Sequence, residues 1–271
     1  MTYEIHFISG LPRAGSTLLG ALLRQNPRFH AGMSGPMAGV MAAMQKSLSP
    51  ANEFALDVTD EQRRRTLRAA FDGFYGDIAD GDVVFDTNRL WCAKLPALAD
   101  LFPAAKVIAC VREVPWVLDS LERVVREHPL LPSGLYNYEP AWTLHQRVEQ
   151  ATSANGVLGF AWNALKEGIN SEQADRLLLL RYETLTTRPA EAFAAVYDFI
   201  GAPRFAHDFD NVEFDAEAFD KRLGAPGLHR VRRNVEPPAR RSVLPPDLFS
   251  RHIADSFWMS ASLNPRGVNV V

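Results

Sequence analysis

The chain has 271 residues, enough for one large domain or two small ones of roughly 100 to 200 residues each. Its 47% apolar and 23% charged content supports a buried core and excludes a disordered chain or a coiled coil. Twenty-nine basic against 32 acidic side chains leave a net charge of −3, so no broad nucleic-acid or membrane surface is expected and any basic site must be local.

Residues 3–9 are rich in β-branched and aromatic side chains and read as a strand. A glycine-flanked turn at 10–15 follows, and then an apolar helical stretch over 16–25. The start has no basic region leading into a long apolar core, and no run of about 18 apolar residues occurs, which reads as a cytoplasmic protein with no membrane span. A helix is expected over 61–75, with Arg63, Arg64 and Arg65 forming a solvated face. The runs at 82–86, 106–111 and 176–180 lack polar alternation, as expected of central parallel strands covered on both faces. Helical spacing fills 90–102, 115–126 and 190–200.

A longer helix is expected over 142–166, weakened by about 1 kcal/mol at each of Gly156 and Gly159. The aromatic loop at 127–140 is placed as a substrate-facing lid, with Tyr136 and Tyr138 suited either to a planar acceptor or to anchoring the loop. Alternation stops at Gly201, so a single domain over 1–271 is expected, with an irregular C-terminal extension from about 201. Cys92 and Cys110 are too few for a disulfide framework or a zinc cluster, which implies a reducing compartment and no metal. Alternating strands and helices predict an α/β fold, a three-layer sandwich around a central parallel sheet, with ligands at the carboxyl ends of the strands.

The turn Gly10-Leu11-Pro12-Arg13-Ala14-Gly15-Ser16-Thr17 has the frame of a phosphate-binding loop between a strand and a helix. Loop N–H groups and the positive end of a helix favour an anion there. The lysine of a nucleoside triphosphatase loop is replaced by Ser16, and the basic side chain is Arg13 inside the loop. A second pattern is Arg112 at the end of a strand with Ser120 eight residues later on the next helix, a spacing that lets both reach one phosphate.

These motifs resemble the sulfotransferases that use 3′-phosphoadenosine 5′-phosphosulfate (PAPS). An arginine in the loop is more like the tyrosylprotein and Golgi-type branches than the small-molecule cytosolic branch. The resemblance implies that Arg13, Ala14, Gly15, Ser16 and Thr17 hold the 5′-phosphosulfate and that Arg112 and Ser120 hold the 3′-phosphate. It further implies that Tyr182, in Leu180-Arg181-Tyr182-Glu183, lies near the nucleotide, while Glu183 is as well explained as a cap of the following helix. The basic segment from Gly227 through Arg240 and Arg241 corresponds to the loop that closes the donor site, with His229 and Arg230 as contacts. PAPS is then a co-substrate and 3′-phosphoadenosine 5′-phosphate (PAP) the product, with no metal required. The acceptor is a small molecule or peptide, with a phenol or a peptide tyrosine among the options.

The general base departs from the family pattern. The tyrosylprotein glutamate falls at Ser34, and the cytosolic histidine is missing from 85–91. Asp86, at the end of a central strand, is the expected base, with Arg89 nearby to stabilise charge; His30 is second, and Asp86 could instead cap the next helix. Two other readings remain open: an ATP-dependent small-molecule kinase, and a nucleotide-binding module that has lost its base.

Overall fold

The computed structural model describes residues 3–139, 143–237 and 241–271. Trp142, the expected first residue of a helix, and Arg240 of the basic segment lie outside the described residues.

In chain order the elements are β1 (Glu4–Gly10), α1 (Ser16–Leu23), β2 (Phe29–Ala31), α2 (Met37–Ser47), α3 (Asp60–Phe74) and β3 (Val83–Thr87). Then come α4 (Leu95–Leu101), β4 (Val107–Val111), α5 (Val114–Glu127), α6 (Leu144–Thr152), α7 (Gly159–Asn170), β5 (Leu177–Arg181) and α8 (Tyr182–Thr187). The chain closes with α9 (Pro189–Ile200), α10 (Glu217–Arg222), α11 (Pro246–Arg251) and β6 (Asn269–Val270).

The strands form one parallel sheet in the order β2-β3-β1-β4-β5-β6. Every residue of β3 and β4 is buried, which explains why neither run alternates with polar side chains. Helices cover both faces, as the α/β reading expects. From β1 the chain crosses to the edge strand β2 and returns to β3, which lies between them, then crosses to the other side of β1 and builds outward through β4, β5 and β6. The connections therefore diverge after β1, and a crevice opens at its carboxyl end.

The expected helix at 142–166 is two helices. Ser153 leaves the first in an extended conformation, and a Cβ on Gly156 would meet the Gln150 carbonyl oxygen at 2.0 Å, so only glycine allows that close a reversal. The expected helix at 90–102 opens as a 3-10 turn (Arg89–Lys94) and becomes α4 at Leu95, with its proline in the first turn where no donor is needed. Strands β2 and β6 carried no readable signal, being three and two residues long. Arg63 and Arg64 pair with Asp60, Glu61 and Asp100 on the surface, in keeping with a solvated face.

After Gly201 the chain is irregular but closely attached. The buried Asp119 carboxylate of α5 accepts from the Val243 N–H at 2.7 Å, and Arg123 donates to the Arg241 carbonyl at 2.5 Å. Strand β6 then pairs with β5, returning the end of the chain to the sheet. No helix among the described residues is long and apolar enough to cross a membrane.

Candidate functional site

The loop after β1 takes its shape from three left-handed residues: Gly10 (φ 105°), Arg13 (φ 58°) and Gly15 (φ 98°). Gly10 is obligatory for a second reason, since a Cβ there would lie 2.1 Å from the Cys110 carbonyl oxygen on β4. The loop is thereby pressed against β4, and the Leu11 N–H donates to that same carbonyl at 2.9 Å. Gly15 precedes α1 and supplies no side-chain cap, and the first turn of α1 carries no acid. The first N–H groups of α1 thus keep their partial positive charge for an anion.

Around this loop lies a cleft of about 330 Å³. Of the residues expected from the sequence, Arg13, Gly15, Ser16, Thr17, Arg112, Ser120, Tyr182, His229 and Arg230 all line it. Ala14 does not: its side chain is fully buried in the core. The convergence is direct. Arg13 Nε donates to Ser120 Oγ at 3.0 Å, Arg112 Nη1 donates to the Arg13 carbonyl at 3.3 Å, and the Arg112 guanidinium stacks 4.2 Å from the centre of the Tyr182 ring. Tyr182 also closes over the loop, 3.0 Å from where a Gly15 Cβ would stand. Glu183 lies in the first turn of α8, and burial raises its pKa.

Six arginines (13, 89, 112, 123, 230 and 232) line the cleft against two acids, Glu127 and Glu236. Among the described residues Arg89 has no ion-pair partner, and burial alone lowers its pKa. A guanidinium taken from water and left without a carboxylate is costly, and an incoming anion offsets that cost. The donor set therefore fits a nucleotide-sized polyanion: guanidinium forks, hydroxyls of Ser16, Thr17 and Ser120, and loop N–H groups.

Asp86 lies elsewhere. It is 1% exposed and does not line the cleft. Its Oδ1 accepts from Trp91 Nε1 at 2.8 Å and its Oδ2 from the Tyr75 hydroxyl at 2.5 Å. The chain also passes over it at Gly35, where a Cβ would come within 2.5 Å of Oδ2. Burial raises the Asp86 pKa, and the two hydrogen bonds offset this in part. Asp86 and His30 instead line a second cavity of about 420 Å³, with Phe29, Phe74, Tyr75 and Phe85. His30 there is bound to Asp82 at 2.8 Å. Ser34 and Thr87 line both cavities and mark where they adjoin.

Tyr136 is buried, and Tyr138 donates its hydroxyl to the Leu223 carbonyl at 3.1 Å; neither lines the cleft, so both anchor their loop. Arg89, expected as a cation near Asp86 that stabilises charge, lines the cleft around the loop and not the cavity that Asp86 lines. Asp220 was missed altogether. It is 2% exposed on α10 and holds His229 from below, and nothing in the charged sequence around it sets it apart from surface acids.

The model of the sulfotransferase family matches residues 6–207. The chain belongs to that family. Protein-tyrosine sulfotransferase 1 of Danio rerio is 24% identical over 240 residues, which cover 85% of this chain and 61% of that protein. The chain thus spans less than two thirds of that relative. Among solved structures, a sulfotransferase from Alicyclobacillus acidocaldarius superposes with a TM-score of 0.52 at 14% identity, covering 95% of this chain and 94% of the other. The sulfotransferase domain from the curacin biosynthetic pathway gives 0.50 at 15% identity, covering 96% and 89%. These two likenesses concern the fold.

Proposed function

We propose that the protein transfers a sulfuryl group from PAPS to a hydroxyl or amine of an acceptor. The observation that carries this reading is the convergence of Arg13, Arg112 and Ser120 beside the uncapped start of α1. When bound, PAPS supplies an activated sulfuryl group on a phosphate leaving group. In this reading Arg13, Ser16, Thr17 and the loop N–H groups hold the phosphosulfate and stabilise the charge that develops on the leaving phosphate. Ala14 contributes only its backbone. Arg112 and Ser120 hold the 3′-phosphate, Tyr182 stacks near the nucleotide, and the segment at 227–236, with Arg230, covers it.

The second cavity suits the acceptor, because it adjoins the cleft at Ser34 and Thr87 and is walled by aromatic rings. Rings of this kind favour a phenol or a tyrosine side chain, and the name of the Danio rerio relative points the same way. A cytoplasmic or otherwise reducing location is supported by Cys92 and Cys110, both buried free thiols. One domain over the whole chain is supported by β6 returning to the sheet.

A thermal-shift comparison tests the donor. PAP at about 100 times its Kd is expected to stabilise the protein by about 2.7 kcal/mol, with ADP and magnesium giving little. Stabilisation by ADP and magnesium alone favours an ATP-dependent kinase. Transfer of labelled sulfate from PAPS to phenols, saccharides and tyrosine peptides tests the reaction, and binding of PAP without any transfer points to a module that no longer catalyses.

A further inference from the structure

His229 and Asp220 form a closed pair at the edge of the donor cleft. The buried Asp220 carboxylate spends both oxygens on one residue: Oδ2 accepts the His229 backbone N–H at 2.8 Å, and Oδ1 lies 2.5 Å from Nδ1. A carboxylate only accepts, so Nδ1 carries the proton, and in the neutral ring Nε2, on the opposite edge, presents a lone pair. Nε2 has no hydrogen-bond partner among the described residues. The Phe219 ring packs edge-on at 5.5 Å and fixes the imidazole plane, and the ring lines the cleft with Arg13 and Arg89.

This arrangement is wrong for a phosphate contact, which would set the Nε2 lone pair against an oxygen that also only accepts. It is right for a hydroxyl, which brings a proton. Three charged groups face the ring: Asp220 on α10, Arg13 in the loop after β1 and Arg89 in the 3-10 turn before α4. Burial, with Arg13 and Arg89, draws the His229 pKa below the ordinary imidazole value in spite of Asp220.

Resting on the sulfotransferase reading, we propose that His229 is the proton acceptor of the reaction, with Asp220 as its positioning residue. The acceptor oxygen bonds to sulfur, and the sulfur–oxygen bond to the 5′-phosphate breaks with its electron pair left on that phosphate. The hydroxyl proton passes to Nε2 of His229. The resulting imidazolium keeps its Nδ1–H on Asp220, whose charge balances it, and later yields the new proton to solvent.

PAP titration of the full chain separates the two layers: a wild-type protein that does not bind PAP removes the sulfotransferase reading itself. Given binding, His229→Gln is expected to hold the PAP Kd within about threefold and to lower turnover of PAPS with phenol by about 100-fold or more. The loss is expected to be much smaller with 4-nitrophenol at pH 9, where the acceptor is already ionised. Nitrogen NMR of the labelled ring, which needs no acceptor, is expected to show a neutral imidazole protonated at Nδ1 at pH 7. Asp220→Asn is expected to shift the acidic limb of the turnover profile to lower pH, a change a purely structural Asp220 would not cause. Turnover within threefold of wild type in His229→Gln, a PAP affinity loss equal to that of Arg13→Ala, or a charged or Nε2-protonated ring each overturns the proposal.

Discussion

Arg13 Nε donates to Ser120 Oγ at 3.0 Å across 107 positions of the chain. The bond joins the loop after β1 to α5 after β4, the two connections that flank the crevice. Both residues line the cleft. The loop arginine and the helix serine, separate signals in the sequence, are one device in the fold.

Arg13→Ala is therefore expected to weaken PAP binding by at least tenfold, from a charge-assisted contact of about 1.5–3 kcal/mol. Calorimetric titration reads this directly, and an unchanged Kd removes Arg13 from the donor site.

Tyr182→Ala removes the ring under Arg112 at 4.2 Å. A stacked cation of this kind contributes about 0.5–2 kcal/mol, so PAP affinity is expected to fall roughly 2- to 30-fold, while Tyr182→Phe keeps most of it. Equal losses in the two variants would mean that the hydroxyl, not the ring, is the working part.

Asp86→Asn tests whether this carboxylate is a base or a structural acceptor. A base predicts lost turnover in a stable protein. The observed geometry, with Trp91 and Tyr75 both donating to it, predicts a stability loss of about 1–3 kcal/mol as an amide N–H is set against a donor. PAP affinity is expected to hold within about twofold. Urea unfolding beside PAP titration separates the two outcomes.

Gly10→Ala is expected to cost about 3 kcal/mol or more, since it adds a Cβ 2.1 Å from a backbone oxygen at φ 105°. Gly39→Ala is the control: it lies in α2 with nothing within 4 Å of the added atom and is expected to gain about 0.5–1 kcal/mol. Melting temperatures of the two variants should move in opposite directions.

Acid sensitivity follows from His6. Burial first, and Lys106 second, push its pKa from 6.5 down to about 4, and its Nδ1 accepts the Lys106 N–H at 3.1 Å. The Glu4 carboxylate lies 3.4 Å away but is half exposed, and solvent screens it. The folded ring is thus neutral where the unfolded ring takes up a proton. The stability this provides is full above pH 6.5 and lost as pH falls towards 4, about 3 kcal/mol in all. His207, pushed down to about 4 by burial, adds in the same window. His6→Gln should flatten the slope of stability against pH between 4 and 6.5.

Local order was legible where local chemistry dictates it. The buried runs of β3, β4 and β5 announce strands by their lack of alternation, and Gly10, Arg13 and Gly15 announce a loop that only glycine-rich backbone can make. The arginine and serine at the end of β4 and on α5 were readable for the same reason, because strand and helix geometry fixes their reach. Strands β2 and β6 are too short to show a period, and the split between α6 and α7 depends on a close backbone approach at Gly156 that propensity does not register.

The sequence by itself determined the alternating α/β plan, the anion loop and the family, since each rests on contiguous residues whose backbone preferences act locally. Tertiary structure alone decided which side chains share the cleft. It made Asp86 an acceptor for Trp91 and Tyr75 on the wall of the second cavity, brought Arg89 into the cleft with Arg13 and Arg112, and set Asp220 against His229. Those outcomes depend on how far each group is taken from water and on which donors meet it there, and both are properties of packing between distant segments.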